Sequence, residues 1–306
     1  MSGVSFGDLR SLAQREPSRP VWATLCAMIE SWPDARERDE LASPYVLEQL
    51  DRRWPDDLRV LPGRWVYERA GQAPHYLSWG RALHLGRRDL RSIGDGTLRW
   101  PDAFPWEGVT RVRVQMGASA IRLLAPLRAG ALFEGLDALS FSSLRPGARE
   151  LLSSLLERGS LERLLELELM TPGVRADVAN LALDHPGLPS LRALSFTRMG
   201  EHSIQQELDG DALAHRVAAS ARAGSLTTLG LRFVRLSDAG ALALAQARLP
   251  ALEGLNLEGN RLTQRGLDAL LASRWGQRGV DVSVRGCPEL DADVDLLALA
   301  AFHGSA

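Results

Sequence analysis

Histidine and cysteine are the residues in this chain best suited to bind a metal or act as nucleophiles. The six histidines are scattered, and no two of them stand four residues apart, the spacing that would place both imidazoles on one face of a helix. Cys26 and Cys287 lie far apart in sequence and have no partners at zinc-binding spacing, so they form neither a metal site nor a disulfide framework. No Walker loop or Gly-x-Gly-x-x-Gly motif is present either. The sequence therefore predicts no catalytic residue, no cofactor and no metal.

Trp-Pro-Asp stands at Trp32-Pro33-Asp34 and at Trp54-Pro55-Asp56, and it resembles the acid loop of tyrosine phosphatases. That chemistry needs a nucleophilic cysteine followed closely by a phosphate-binding arginine. Cys26 is followed by AMIESW and Cys287 by PELDAD, so neither fits. Proline in the first turn of a helix, with an acidic residue behind it, is the ordinary explanation of the motif. An enzyme with a site where the N-terminal region joins the rest of the chain is kept only as a third alternative.

The elements that would position a functional residue are set by a repeat, and its clearest copy spans Leu249–Ser273. That copy matches the pattern L-x-x-L-x-L-x-x-N/C-x-L. Its fixed positions are Leu252, Leu255, Leu257, Asn260 and Leu262. Leu255 and Leu257 alternate inward from a short strand, and the leucines after Thr263 recur at helical spacing. One such unit cannot bury its own apolar face, so it must stack on further copies.

Further copies recur at intervals of 26 to 35 residues, counted between the residues equivalent to Leu255. These marker residues are Leu83, Val112, Leu139, Leu167, Leu194, Leu229, Leu255 and Val282. The asparagine position is irregular, because the other copies from Val112 onward hold Gly117, Leu144, Pro172, Met199, Val234 and Cys287. The longest interval carries an insertion at Gly200–Asp211, ahead of a helix predicted over Ala212–Ala221. Insertions of this kind in solenoids are often binding features.

This pattern resembles the ribonuclease-inhibitor-like subclass of leucine-rich-repeat proteins over roughly residues 77–300. The resemblance implies an α/β fold, a right-handed solenoid with a curved parallel sheet on its concave face and helices on its convex face. About seven to eight repeats would fill residues 77–306. It is nearly silent on function.

Residues 1–76 carry no repeat, hold four of the eight tryptophans and predict a small helical domain that caps the solenoid. This arrangement resembles short bacterial leucine-rich-repeat proteins with a helical N-terminal region. Short helices are predicted over Phe6–Arg15 and Val21–Ser31. A third would open at Pro33, with an inward set of Leu41, Val46, Leu47 and Leu50. A C-terminal helix over Val294–Phe302 would cover the last repeat.

Composition narrows the class of partner. The formal charge is −2, and no apolar run is long enough to span a membrane, so a cytoplasmic protein that binds neither nucleic acid nor membrane is expected. Arginines are concentrated over Arg81–Arg128 and acids over Asp281–Asp295, which suggests a polarised solenoid capable of self-association. None of the 36 basic residues is lysine. Codon bias in a GC-rich genome explains this, and selection beside a lysine-modifying system is the alternative.

Alternation along each strand predicts which residues face the concave side. The first outward column is Arg113, Ser140, Glu168, Ser195, Gly230, Asn256 and Ser283. The second is Gln115, Ser142, Met170, Thr197, Arg232, Glu258 and Arg285. A non-catalytic interaction module would hold a protein or peptide there, with Arg113, Glu168, Arg232, Glu258 and Arg285 as polar anchors. The second hypothesis is an adaptor subunit of a ubiquitin-like or defence system.

Overall fold

The computed structural model describes residues 5–62, 79–86, 108–115, 133, 135–142, 148–172, 174–199 and 208–290. The chain divides into two compact units. The first comprises Met1–Gln115 with Arg122–Leu136, and the second comprises Met116–Ile121 with Asp137–Ala306. None of the helices in the described ranges is long and apolar enough to cross a membrane.

The first unit begins with helices. They are α1 Phe6–Ala13, α2 Arg19–Glu30, the single turn α3 Ala35–Glu37 and α4 Ser43–Arg53. The Ser5 hydroxyl caps α1 by accepting the Asp8 backbone N–H, and Pro20 stands in the first turn of α2, where its missing N–H costs nothing. The two short helices predicted ahead of Pro33 are therefore present, with ends that differ from the prediction by at most two residues.

The helix predicted after Pro33 is interrupted, and one member of its predicted inward set was wrong. A π-turn over Arg38–Ala42 separates α3 from α4. The buried stripe is Ala42, Val46 and Leu50, spaced four residues apart, whereas Leu41 is 47% exposed. Leu47 is only partly buried. Leu41 precedes Leu50 by nine residues, or two and a half turns at about 3.6 residues per turn, so the two could not share a face even in a regular helix.

Three parallel strands lie among the described residues of the first unit. They are β1 Val60–Pro62, β2 Ala82–Leu85 and β3 Arg111–Gln115. Leu61 pairs with Leu83, and Leu83 pairs with Val112, so two sequence markers stand in register. β1 lies in the segment for which the sequence predicted no repeat. The Trp22 indole N–H of α2 donates to the Val60 carbonyl at 2.8 Å, which ties the helices to this strand.

The second unit alternates strands and helices. In chain order these are β4 Ala138–Ser142, α5 Ala148–Glu157, β5 Glu166–Thr171, α6 Ala176–Asp184, β6 Ala193–Arg198, α7 Gly210–Ala219, β7 Thr228–Arg232, α8 Asp238–Gln246, β8 Gly254–Asn256, α9 Gln264–Leu271 and β9 Asp281–Ser283. Each strand is parallel to the next in sequence. The chain is thus an α/β protein whose parallel strands follow sequence order within each unit, as a solenoid requires.

The marker residues of the second unit form one register row. The row runs Leu139, Leu167, Leu194, Leu229, Leu255 and Val282. Every member of it is at most 2% exposed. The helices contribute a matching buried set, including Leu213, Leu244 and Leu270 at 0% exposure. A repeated leucine therefore becomes a continuous core only because each copy stacks on the next.

Asn260 joins neighbouring turns of the second unit. Its side-chain amide is fully buried, donates to the Leu231 carbonyl at 2.6 Å and the Leu257 carbonyl at 2.8 Å, and accepts the Leu236 N–H at 3.0 Å. Cys287 holds the same position one repeat later, and its thiol contacts the Leu257 carbonyl at 3.6 Å. Leucines can fill a core by shape alone, but only an amide or thiol here also satisfies buried backbone groups.

Two predicted features lie outside the described residues. Of the insertion at Gly200–Asp211, only 208–211 are described, and the C-terminal helix predicted over Val294–Phe302 is not described at all. Asp209 is the N-cap of α7 and accepts the Ala212 N–H at 2.7 Å.

Candidate functional site

The strands of the second unit bring the predicted outward residues together. Ser140, Glu168, Ser195, Gly230, Asn256 and Ser283 occupy successive register positions across β4 to β9. Ser142, Met170, Thr197 and Arg232 form a second row two residues further along, and Glu258 and Arg285 continue it just beyond β8 and β9. Period-two alternation therefore predicted which residues would be neighbours, because the register never slips. We call these two rows of the second unit the outward rows.

Arg113 and Gln115 belong to β3 in the first unit. Gln115 is exposed, whereas Arg113 is partly buried and pairs in register with His84 of β2. His84 directly follows the marker Leu83, so the same alternation identifies it as an outward residue that the two predicted columns omit. Burial, together with the positive charges of Arg113 and Arg19, lowers the pKa of His84 to about 4. The imidazole is therefore neutral at pH 7.

Two contacts between strands hold charged side chains of the outward rows in place. The Ser140 hydroxyl donates to a Glu168 carboxylate oxygen at 2.7 Å. Arg232 donates through Nε to Glu258 at 3.1 Å, and its terminal nitrogen lies 3.0 Å from the same oxygen. Both side chains of this ion pair are 31% exposed. The two side chains hold each other in place, and both remain accessible to another molecule.

At the middle of the outward rows, one prediction about exposure was wrong. Thr197 was expected to face solvent but is only 4% exposed; its register partners are Met170 and Arg232. Within the described residues its hydroxyl has no hydrogen-bond partner. Beside it, a Cβ on Gly230 would lie 2.4 Å from the Ser195 hydroxyl, so the serine fills the space above the glycine.

Cys287 and Ser5, two residues whose side chains could do covalent chemistry, have structural roles instead. Burial raises the pKa of the Cys287 thiol, so this cysteine is a neutral, packed side chain. Ser5 stands at the centre of a Gly3-x-Ser5-x-Gly7 sequence, the spacing of a hydrolase nucleophile, but it caps α1 and donates to Asp8. No group of three histidine, cysteine or acidic residues that could hold a metal occurs in the described part of the chain.

Sequence reasoning also missed Phe233 and Arg235, which follow β7. Both have positive φ, 57° and 63°, a conformation that non-glycine residues rarely adopt. The residues equivalent to Phe233 after β8 and β9 are Gly259 and Gly286, with φ of 70° and 68°. Phe233 is a large aromatic residue where the next two repeats use glycine, and comparing the repeats position by position would have identified it.

Comparison with known proteins identifies neither a family nor a function for this chain. No protein-family model matches the chain, and no curated protein matches it. A crystal structure of a Bacteroides fragilis protein from a structural genomics consortium is similar over 84% of each chain at 14% sequence identity, with a TM-score of 0.35. So loose an overlap does not bear on fold or function, and the site must be interpreted from its own geometry.

Proposed function

We propose that this chain is a leucine-rich-repeat solenoid of the ribonuclease-inhibitor-like subclass, and that it binds a protein or peptide on the concave face of its sheet without catalysis. The register row of marker leucines supports the repeat assignment. So do the three backbone hydrogen bonds of Asn260 and the equivalent position of Cys287. A regular repeat with no catalytic cluster in the described residues is typical of a recognition surface.

The observation that carries the proposal is the Arg232–Glu258 pair within the outward rows. A partly exposed ion pair that is already ordered loses little conformational entropy when a partner engages it. Ser195 is small and partly buried beside this pair, and it covers Gly230, so a partner would meet the Ser195 hydroxyl there and not a long side chain. Glu168, held by Ser140, offers a second anchor on the same rows.

The composition of the outward rows favours a protein or peptide over single-stranded nucleic acid. Neither row contains an aromatic residue, whereas non-specific binding of single strands depends on stacking successive bases on aromatic rings. The rows carry both signs of charge, which suits a mixed polar protein surface better than a phosphate backbone.

The test is to exchange the two charges in R232E/E258R and measure affinity for a partner captured from native lysate at low salt. The exchange preserves an ion pair but inverts the charges presented, so we expect binding to weaken at least about tenfold. R36E/E40R, which exchanges a pair that is 82% and 64% exposed in the first unit, is the matched control. Unchanged affinity in the sheet variant, with an intact circular dichroism spectrum, would exclude the proposed face.

A second candidate function is an adaptor subunit of a lysine-modifying system, favoured by the absence of lysine among 36 basic residues. A protein without ε-amines escapes modification by the pathway it serves. Lysine content in homologues from lower-GC genomes separates selection from codon bias. Near-zero lysine there would support the adaptor role, and ordinary lysine content would remove it.

A further inference from the structure

The backbone after β7 is strained at an exposed aromatic residue. Phe233 adopts φ of 57°, is 42% exposed, and donates its N–H to the Glu258 carbonyl at 2.8 Å. In the next repeat Gly259 makes the equivalent bond to the Arg285 carbonyl at 2.8 Å. Left-handed backbone costs a non-glycine residue roughly 1–2 kcal/mol. The fold does not need a side chain here, since the next two repeats use glycine, so the ring is kept for another reason.

The ring has a defined position on the surface. A Cβ on Gly259 would lie 2.1 Å from a Phe233 ring carbon, so the ring occupies the space that this glycine leaves open. The Arg232 guanidinium carbon lies 6.0 Å from the ring centroid. The aromatic group therefore rests against one neighbouring repeat and leaves part of its surface to solvent.

Three further arginines follow the strands of the same repeats. Arg235, Arg261 and Arg285 follow strands β7, β8 and β9, and all three are exposed. None of the three forms an ion pair with any described residue, and Glu258, the acid among them, is bound to Arg232. Arg235 and Arg261 hold the same position of successive repeats, six residues after their markers, and the Arg261 N–H donates to the Leu236 carbonyl at 2.8 Å, so three positive charges without a described ion-pair partner follow adjacent strands. We call Phe233, Arg235, Arg261 and Arg285 the arginine edge.

We infer that the arginine edge binds an acidic peptide segment that places an apolar side chain on Phe233. Uncompensated guanidinium groups attract carboxylates, which they can bind in a bidentate manner, and an exposed aromatic ring supplies a contact area for an apolar residue. One ring gives no platform for successive bases, so a peptide fits the edge better than nucleic acid. The inference rests on the proposed function and names its class of partner.

The experiment selects peptides from a phage-displayed library of random twelve-residue segments on the whole protein at about 50 mM salt. We expect enriched peptides to carry at least three acidic residues and one large apolar residue. Fluorescence polarisation then measures the best peptide against three charge states of the protein: the original chain, R235E/R261E/R285E, and R248E/R265E/R274E. The last reverses three exposed arginines in or beside the helices of the same repeats and is the matched control.

Reversal at the arginine edge should weaken binding at least thirtyfold, whereas the control should change it less than threefold. Phe233→Gly should weaken binding about tenfold while the melting temperature stays equal or rises, because glycine accepts the positive φ. A merely structural ring would instead lower the melting temperature and leave affinity unchanged. Leu242→Ala removes an exposed apolar residue of α8 and should alter neither quantity.

The inference would be overturned if the enriched peptides are neutral or basic, or if their affinity is unchanged when the charges of the arginine edge are reversed. If such peptides lose affinity in R232E/E258R, the proposed face stands without the edge. A library that yields no binder contradicts the arginine edge as a peptide site, whereas the proposed face fails only if R232E/E258R leaves affinity for the captured partner unchanged. Tighter binding of a labelled twelve-residue oligothymidylate, lost on reversal of the edge, would reassign the edge to nucleic acid.

Discussion

His84 shows how one outward residue acquires a chemical character that its neighbours determine. It is partly buried on β2 beside Arg113, and Arg19 adds a second positive charge. Both effects disfavour the imidazolium ion. The imidazole of His84 is therefore neutral at pH 6.5, where an ordinary histidine carries a proton about half the time.

This lowered pKa predicts a pH dependence of stability. The unfolded chain takes up a proton near pH 6.5, whereas the folded protein resists protonation until its pKa of about 4. Acidification therefore favours the unfolded state, and the free energy of unfolding should fall by up to about 2 kcal/mol from pH 7 to pH 5. Urea unfolding at both pH values measures the loss. The His84→Gln variant should lack this part of it, and an equal loss in both proteins would contradict the assignment.

At the scale of elements, successive helices of the second unit are linked by carboxylates at their first turns. Asp211 of α7 accepts the Ser237 N–H at 2.8 Å and its hydroxyl at 2.6 Å, and Asp238 of α8 does the same for Thr263 at 2.9 Å and 2.6 Å. Ser237 and Thr263 are the N-caps of α8 and α9. Each acid therefore orients the cap of the following helix, in addition to its favourable place at a helix N-terminus.

These links explain why Gly266 is a glycine inside a helix. A Cβ there would lie 2.3 Å from an Asp238 carboxylate oxygen. Alanine normally stabilises a helix relative to glycine by about 1 kcal/mol, but Gly266→Ala should destabilise the protein by about 1–3 kcal/mol because it displaces the carboxylate from Thr263. Gly224→Ala is the control, since nothing lies within 4 Å of its Cβ. Chemical denaturation of both variants tests the sign, and a stabilised Gly266→Ala protein would disprove the steric account.

At the scale of the whole molecule, tryptophan fluorescence and circular dichroism report on different parts of the chain. Seven of the eight lie within Met1–Gln115 of the first unit, and the second contains Trp275, which is 1% exposed. Tryptophan fluorescence therefore reports mainly on the first unit, whereas far-ultraviolet circular dichroism reports on the helices of both. A change confined to one unit can be located by comparing the two signals.

Asn260→Ala is the suitable probe. Removing the amide leaves the Leu236 N–H and the Leu231 and Leu257 carbonyls without it, at a cost of about 3 kcal/mol. We expect the dichroism transition in urea to move to lower concentration by more than the fluorescence transition, because compact units tend to unfold separately. Asn260→Cys should shift it less, since Cys287 fills the equivalent position. Equal shifts of both signals would show that the chain unfolds as one cooperative body.

The sequence by itself determined the elements and their neighbours. Leucines at a period near 27 residues allow one strand and one helix per repeat, and stacking equivalent repeats puts equivalent residues in register. Eight markers, and the positions of Asn260 and Cys287 in the repeat pattern, were accessible from the sequence. β1 was missed because three residues, Val60–Pro62, carry too little pattern to be recognised.

Tertiary structure decided what depends on neighbours distant in sequence. Thr197 is outward by alternation but only 4% exposed, and Leu41 is 47% exposed although the sequence grouped it with the buried Val46 and Leu50. The pairing of Arg232 with Glu258, the pKa of His84 and the strained backbone of Phe233 are likewise set by contacts across strands. Periodicity fixes which way a side chain points, whereas burial, charge and strain depend on the residues that the fold places beside it.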